Sequence, residues 1–436
     1  MKHTKKRVAA LLLTLAMVLS LMPMAFAEDD AAGFPDMPAE EDASYAAVKS
    51  AVDNGLLTGE DGKLNLEGSM TRATMAAVIT RAFGAKGEAD MSAFSDAEGH
   101  WATVSGELPA AVAMGIMNGS NGKMLPNDQV TLEQVITMLV RALGLPLGTA
   151  DDLKDVAGAD SVTAWAVPYV AALLKAGYDV PDLAGAAQPL SRVEFTEMMY
   201  QVSGGNYASE GEITEDVDGN IIITGPVSLK GVTVKGDVII ADGVDAGSVV
   251  LDGAKIEGRL VVRGGSDVSL TNGSTAASTV VAAPAGELTV KADDTSDAGQ
   301  IAVTGTDSKA ADKVTVDMAE PRVTVEAGTT LAVQNATGGE VTLKANDAKV
   351  AVESGKLDNV TVADGTENVA VDVAADATIE KVTTNTDLAI TGEGTVTEKE
   401  GSGTVTDASG NEVAGSDEPA EVPTCLLYTS PSPRDS

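Results

Sequence analysis

The chain has 436 residues, 65 Asp and Glu against 29 Lys and Arg, and a formal net charge of −36, with two histidines and one cysteine. Such acidity repels nucleic acid and anionic lipid, so neither is an expected partner. So few imidazoles and thiols exclude a thiolate zinc site, a multi-histidine metal centre and a Cys/His nucleophile, leaving carboxylates and hydroxyls for any chemistry.

Residues 1–27 read as a secretory signal peptide. Lys2, Lys5, Lys6 and Arg7 precede an apolar run from Val8 to Met22, and Ala25-Phe26-Ala27 supplies small residues for cleavage. The run is too short and wrongly flanked to span a membrane, and no later stretch is long and apolar enough, so no membrane insertion is expected after cleavage. Removing the leader takes away four positive charges and His3, which moves the formal charge from −36 to −40 and leaves His100 as the one histidine.

From Phe34 to Tyr207 the chain contains aromatic residues, and from Ala208 to Thr424 it contains none. A shift that sharp marks a domain boundary, placed within the polar stretch 204–218, which reads as a linker. The first half is helical and repeats. Thr71, Thr131 and Ser191 stand 60 residues apart in each step, and each opens an amphipathic run. Met75, Val78, Ile79, Ala82 and Phe83 follow the spacing of one buried helix face, as do Val135, Met138, Leu139, Ala142 and Leu143, then Phe195, Met198, Met199 and Val202. Thr131 with Gln134 and Ser191 with Glu194 form capping boxes, whereas Thr74 leaves the first box incomplete. A second helix precedes each capped one, over 46–54, 108–114 and 167–176, with Gly55, Gly115 and Gly177 as its stop. Ahead of these come FPDM at Phe34, FSDA at Phe94 and LKDV at Leu153. The modules therefore span 34–84, 94–144 and 153–203.

F-x-D, then HWA at residues 100–102, G-I-x-x-G, a short loop and T-R-A-x opening a helix resembles the S-layer homology (SLH) domain, in three tandem copies. The resemblance implies a helical pseudo-threefold bundle whose intermodule grooves hold a pyruvylated secondary cell-wall polysaccharide. Carried over by position, it implies Arg72, Arg192, Trp101, Trp165, Asp36, Asp96 and Asp155 as groove residues. Leu132 occupies the arginine place in the second copy, and acidic residues stand where the first copy lacks its Trp. A guanidinium can grip a ketal-linked pyruvate carboxylate in a bidentate fork, and an indole can cover a sugar face. Read from the residues alone, an arginine one position after a cap also suits plain solvation, and each Trp suits packing. Arg81 and Arg141 near helix C-termini suit the helix dipole.

After Gly219 the chain becomes short apolar triplets between Gly, Asp and Asn turns, such as VTV at Val232, VII at Val238, LVV at Leu260 and VAV at Val350. No aromatic anchors a sandwich core. Residues 219–395 therefore read as an all-β domain of β-solenoid type, clearest from Val227 to Val281, with an irregular or split β-domain as the competitor beyond. DVDGN at Asp216 reads as a turn, because its glycine comes too early for a calcium loop and no closing Glu follows. Residues 396–424 read as a flexible linker. Residues 425–436, CLLYTSPSPRDS, resemble an in-frame sequencing adapter and stand outside the fold, so the authentic sequence is expected to lack cysteine and to continue beyond 424.

The fold class expected is thus multidomain α + β, a helical bundle followed by a solenoid. The function expected is noncovalent anchoring of a secreted cell-surface protein to the wall polysaccharide, with other surface-layer subunits as further partners and the β-domain as spacer or surface-layer element. No catalytic residue, metal or cofactor is expected. The alternatives are a wall-anchored polysaccharide lyase or hydrolase, or an adhesin, with the active part in the β-domain or beyond residue 424.

Overall fold

The three helix starts, sixty residues apart in sequence, meet in space. A computed structural model describes residues 33–244, 248–306 and 309–415; the leader at 1–27 and the tail at 425–436 lie outside the described residues. Met70 N–H donates to Leu190 O at 3.3 Å, Leu190 N–H to Val130 O at 3.0 Å and Val130 N–H to Met70 O at 2.9 Å, which closes a ring of backbone hydrogen bonds between equivalent positions. The next residue but one in each repeat reaches one repeat further round: Arg72 N–H donates to Asp128 O, Leu132 N–H to Gln188 O and Arg192 N–H to Gly68 O. A helix N-terminus has N–H groups without partners inside the helix, and here the neighbouring repeat supplies part of them.

The helices are α1 (Tyr45–Asp53), α2 (Arg72–Ala82), α3 (Trp101–Val104), α4 (Glu107–Ala113), α5 (Leu132–Ala142), α6 (Val167–Lys175) and α7 (Arg192–Ser203). The capped helices are α2, α5 and α7. Packing is cyclic as well: α4 lies on α2, α6 on α5, and α1 on α7, so each repeat's first helix covers the capped helix of the repeat before it. All fourteen apolar positions expected on the capped helices are buried. Ser191 Oγ accepts from Glu194 N–H at 3.3 Å while Glu194 Oε2 accepts from Ser191 N–H at 2.9 Å. In the first repeat Thr71 Oγ1 likewise accepts from Thr74 N–H at 3.2 Å, and a Thr71–Thr74 hydroxyl pair at 3.0 Å stands in place of the reciprocal bond. Ser191→Ala should cost about 1 kcal/mol, read as a lower denaturant midpoint at unchanged slope.

The β-domain is a parallel solenoid. Among the described residues its two sheets have twelve and eleven strands and take alternate strands along the chain, except that Thr233–Val234 and Val238–Ile240 both join the larger one, and all the strand pairings are parallel. Aliphatic residues from both sheets fill the space between them, among them Val238, Leu260, Val314, Leu331 and Ile379, all fully buried. The regular stacking runs through the region where an irregular β-domain competed.

Two boundaries differ from the sequence reading. The expected linker 204–218 contains strands Tyr207–Ala208 and Gly211–Ile213, paired with Ile221–Ile223 and Val227–Lys230. The expected linker 396–424 contains strand Val405–Thr406, and strand Thr395–Glu400 enters it. Residues 207–213 and 395–406 are polar, and main-chain pairing rather than side-chain burial holds them in the outermost described coils.

The bundle sits on the outward face of the twelve-stranded sheet. The register aligns Ile222, Ile239, Val261, Val280, Ala302, Thr324, Thr342, Thr361 and Thr383 in one outward column. Ile222, Ile239 and Val261 belong to the bundle's apolar core. Beyond Ala302 the column turns to threonine, so the sequence of this column carries the footprint of the bundle.

The contact is made by helix C-termini, whose last carbonyls lack helical partners. Arg263, with a side chain 0% exposed, donates from Nη1 to Arg141 O and from Nη2 to Met114 O, each at 2.9 Å, and pairs through Nε with Asp242 Oδ2 at 2.8 Å. Arg259 pairs with Asp237 at 2.6 Å and donates to Leu143 O at 3.3 Å. Lys309 Nζ donates to Val112 O at 2.9 Å, and Asn220 Nδ2 donates to Val202 O at 3.0 Å. Cations at helix C-termini also favour the negative end of the dipole. A Cβ on Gly144 would stand 2.9 Å from Ala282 Cβ, and one on Gly84 3.0 Å from Thr224 Cβ, so glycine lets these ends approach the sheet.

On the eleven-stranded sheet, outward-pointing Ala332 is nevertheless fully buried. Lys313, on the strand to one side, and Glu353, one residue past the strand on the other, join at 2.7 Å across the strand that carries it. At the coil corners Asp293 accepts from Thr295 Oγ1 and from Asn272 N–H, which holds its carboxyl down to about 2. A depressed carboxylate stabilises above its unfolded-state value and loses that contribution as pH falls through the folded one. The melting temperature should therefore drop between pH of about 4 and about 2, with this corner contributing.

No helix among the described residues is long and apolar enough to cross a membrane.

Candidate functional site

All the expected groove residues of the second repeat gather at the N-terminal end of the capped helices, opposite the solenoid. In the first two repeats the loop before the capped helix is held by the F-x-D aspartate. Asp96 accepts from Met124 N–H at 2.7 Å and Leu125 N–H at 2.9 Å; Asp36 accepts from Leu64 N–H at 2.9 Å and Asn65 N–H at 2.8 Å. Burial raises the pKa of both carboxyls, and the paired backbone donors outweigh it, leaving both below the ordinary range. Asp36 and Asp96 thus position loops. Asp155 is exposed, in a repeat whose loop is built differently.

The gripped loop is strained in the second repeat. Leu125 has φ +53°, and the matching residue of the first repeat is Asn65, also at φ +53°. Asn tolerates this region far better than Leu. Strain of this kind persists where the surrounding structure fixes it, often at binding sites. Leu125→Asn should raise stability by about 1 kcal/mol, measurable by denaturant melts.

Arg72 opens α2 and spans the boundary to the second repeat. Its Nε donates to Met124 O at 2.8 Å and its Nη2 to Asn118 O at 3.2 Å. Burial lowers its pKa, and Asp128 and Asp96 act the other way; the group stays cationic at neutral pH. Across the same loop, His100 Nε2 meets Asn127 Oδ1 at 3.1 Å while its Nδ1 accepts from Ala102 N–H at 3.2 Å, capping α3. The next residue, Trp101, leaves its indole 50% exposed. The loop 118–128 is thus flanked by a guanidinium with donors to spare and by an exposed indole.

The other two boundaries are incomplete. Between the third and first repeats, Arg192 donates to Leu64 O at 3.5 Å and stands 3.6 Å from Glu60, but no Trp accompanies it. An open cleft of about 480 Å³ lies beside it, lined by Asp36, Asp42, Asn65, Glu67 and the next residue, Val193, but not by Arg192 itself. Between the second and third repeats, Leu132 is buried at 2% exposure, and Glu133 Oε2 accepts from Thr163 N–H at 3.1 Å. Trp165, two residues on, is 50% exposed there without an arginine. Position carried over from the sequence could identify each residue but not how differently the three boundaries are furnished. Among the described residues, no cluster of three or more His, Cys, Asp or Glu side chains is placed to hold a metal ion.

The family model described as S-layer homology domain matches residues 93–136, the middle repeat. The chain is 33% identical over 156 residues to a "Cell surface protein" of Thermoanaerobacter kivui, covering 33% of this chain and 19% of that protein. It is 32% identical over 146 residues to a "Surface layer protein" of Brevibacillus choshinensis, covering 32% and 13%. It is 25% identical over 264 residues to an "Endoglucanase" of Bacillus sp. strain KSM-635, covering 53% and 28%. The chain therefore spans less than a third of the length of each of these relatives.

Proposed function

We propose that this chain, which carries an S-layer homology domain at residues 93–136, is a cell-surface protein anchored to the cell wall by a pyruvylated secondary wall polysaccharide. The two flanking repeats are read as SLH modules of the same bundle. The observation that carries the proposal is that Arg72, bonded to Met124 O, and the exposed Trp101, whose neighbour His100 meets Asn127, both adjoin the loop 118–128. The guanidinium receives the ketal carboxylate and the indole covers the sugar. Arg192 and Trp165 supply partial subsites, Asp36 and Asp96 hold the loops, and Asp155 lies at the rim. The solenoid serves as a surface-layer element or spacer, beside other surface-layer subunits.

Residues 33–415 should sediment with walls of a matching host and stop doing so once the pyruvylated polymer is extracted. Undiminished binding to stripped peptidoglycan would overturn the mechanism. Arg72→Ala should weaken binding by about 1.5–3 kcal/mol, and Arg192→Ala should also weaken it, by less.

A second reading, a wall-anchored glycan hydrolase, is favoured only by the similarity to an endoglucanase. Release of reducing ends from wall or plant polysaccharide by the purified chain would support it.

A further inference from the structure

We infer that the solenoid lies along the wall, its twelve-stranded sheet facing the wall polymer and its eleven-stranded sheet facing outward. This rests on the anchoring reading above. The capped helices run from a shared N-terminal ring at Met70, Val130 and Leu190 to C-termini that all end on one sheet face. Phe83 O accepts from Gly243 N–H after α2, Arg141 O and Leu143 O accept from Arg263 and Arg259 after α5, and Val202 O accepts from Asn220 at the end of α7. Three helix ends planted on one plane set the bundle axis perpendicular to that sheet. Strands stack along the solenoid axis, which lies in the plane of the sheet. A bundle whose far end grips the wall therefore holds the rod parallel to it.

The docking is lateral and one-sided along the rod. The outward residues inside the bundle's core, Ile222, Ile239 and Val261, come from early strands, and the bundle's last contact along the rod is Lys309 with Val112, so the coils from Arg322 onward overhang the wall. The eleven strands in the main path of this sheet, stacked at ~4.8 Å, give a rod of roughly 48 Å. The twelve residues of α7 hold it roughly 18 Å above the groove end. The overhanging face carries the threonine column 324, 342, 361, 383 beside Arg322, Glu340, Asn359 and Lys381, a polar surface of mixed charge suited to a hydrated glycan bed. Arg263 and Arg259 cross the junction, so the angle is fixed.

The test uses the full chain with Cys425→Ser and one added thiol, Thr342→Cys on the wall-facing sheet or Asp372→Cys on the outer one. Each reacts with a maleimide carried on a folded protein too large for the gap, free and after sedimentation with walls. Thr361→Cys repeats the first position, and melting temperatures verify folding. Relative to its own rate in solution, Thr342→Cys should slow at least tenfold on walls while Asp372→Cys keeps its rate. Sedimentation with both thiols reacting as in solution, or both slowed alike, overturns the orientation alone. Failure to sediment overturns the anchoring reading and the orientation with it.

Discussion

Arg263→Leu should lower the stability of the chain by about 3–5 kcal/mol and split its thermal unfolding into two transitions. The guanidinium is wholly buried and answers four groups at once: Asp242, the carbonyls of Arg141 and Met114, and that of Ala282 at 3.4 Å. Leucine fills part of the volume but leaves the Asp242 carboxylate and the Met114 carbonyl without the donors they had, and leaves Arg141 O with only the long bond from Gly144 N–H at 3.4 Å. The bundle and solenoid each keep an aliphatic core of their own, so the loss falls on their junction. Calorimetry reads both the shift and the loss of coupling. Adding Asp242→Leu should recover part of the cost, because the stranded charge goes with it. A single unshifted transition would mean the two parts are joined by the apolar footprint alone.

Val238→Asp or Leu260→Asp should unfold the solenoid at 37 °C, with a cost of about 4–5 kcal/mol. Both side chains are fully buried, paired in register, and face the second sheet across a core without polar partners. Coils are stable only as neighbours of other coils, so a charge in one early coil propagates along the stack. Far-ultraviolet circular dichroism should show loss of β signal while the helical signal of the bundle persists in part. Retention of native ellipticity and melting temperature would mean that the strand triplets do not point inward.

The helical half was legible because its signals are local. Caps at Thr71, Thr131 and Ser191 and the apolar faces behind them lie within a few residues of each other, and the helices formed within a residue or two of expectation. The solenoid was legible as triplets, but its coil length was not. Val238 and its partner Leu260 are 22 residues apart, whereas Val323 and Val341 are 18 apart, so no fixed period marks the coils. The junction's apolar footprint is written in the outward column that turns to threonine beyond Ala302, but its polar contacts left no signature. Arg263 sits in an ordinary VVRGG turn, and its carbonyl partners lie 122 and 149 residues away. At the site, Arg72 and Trp101 could be named from the motif, while the loop-holding work of Asp36 and Asp96 required the backbone donors to be seen.

The measurement that tests the central claim most directly is a calorimetric titration of the chain with wall-glycan fragments bearing ketal pyruvate, beside the same fragments with pyruvate removed. One dominant site per chain is predicted, lost in Arg72→Ala, weakened in Trp101→Ala, largely kept in Arg192→Ala, and absent for the pyruvate-free fragments. Equal binding of both fragments, or a site indifferent to Arg72→Ala, would contradict the assignment of this groove as the anchor.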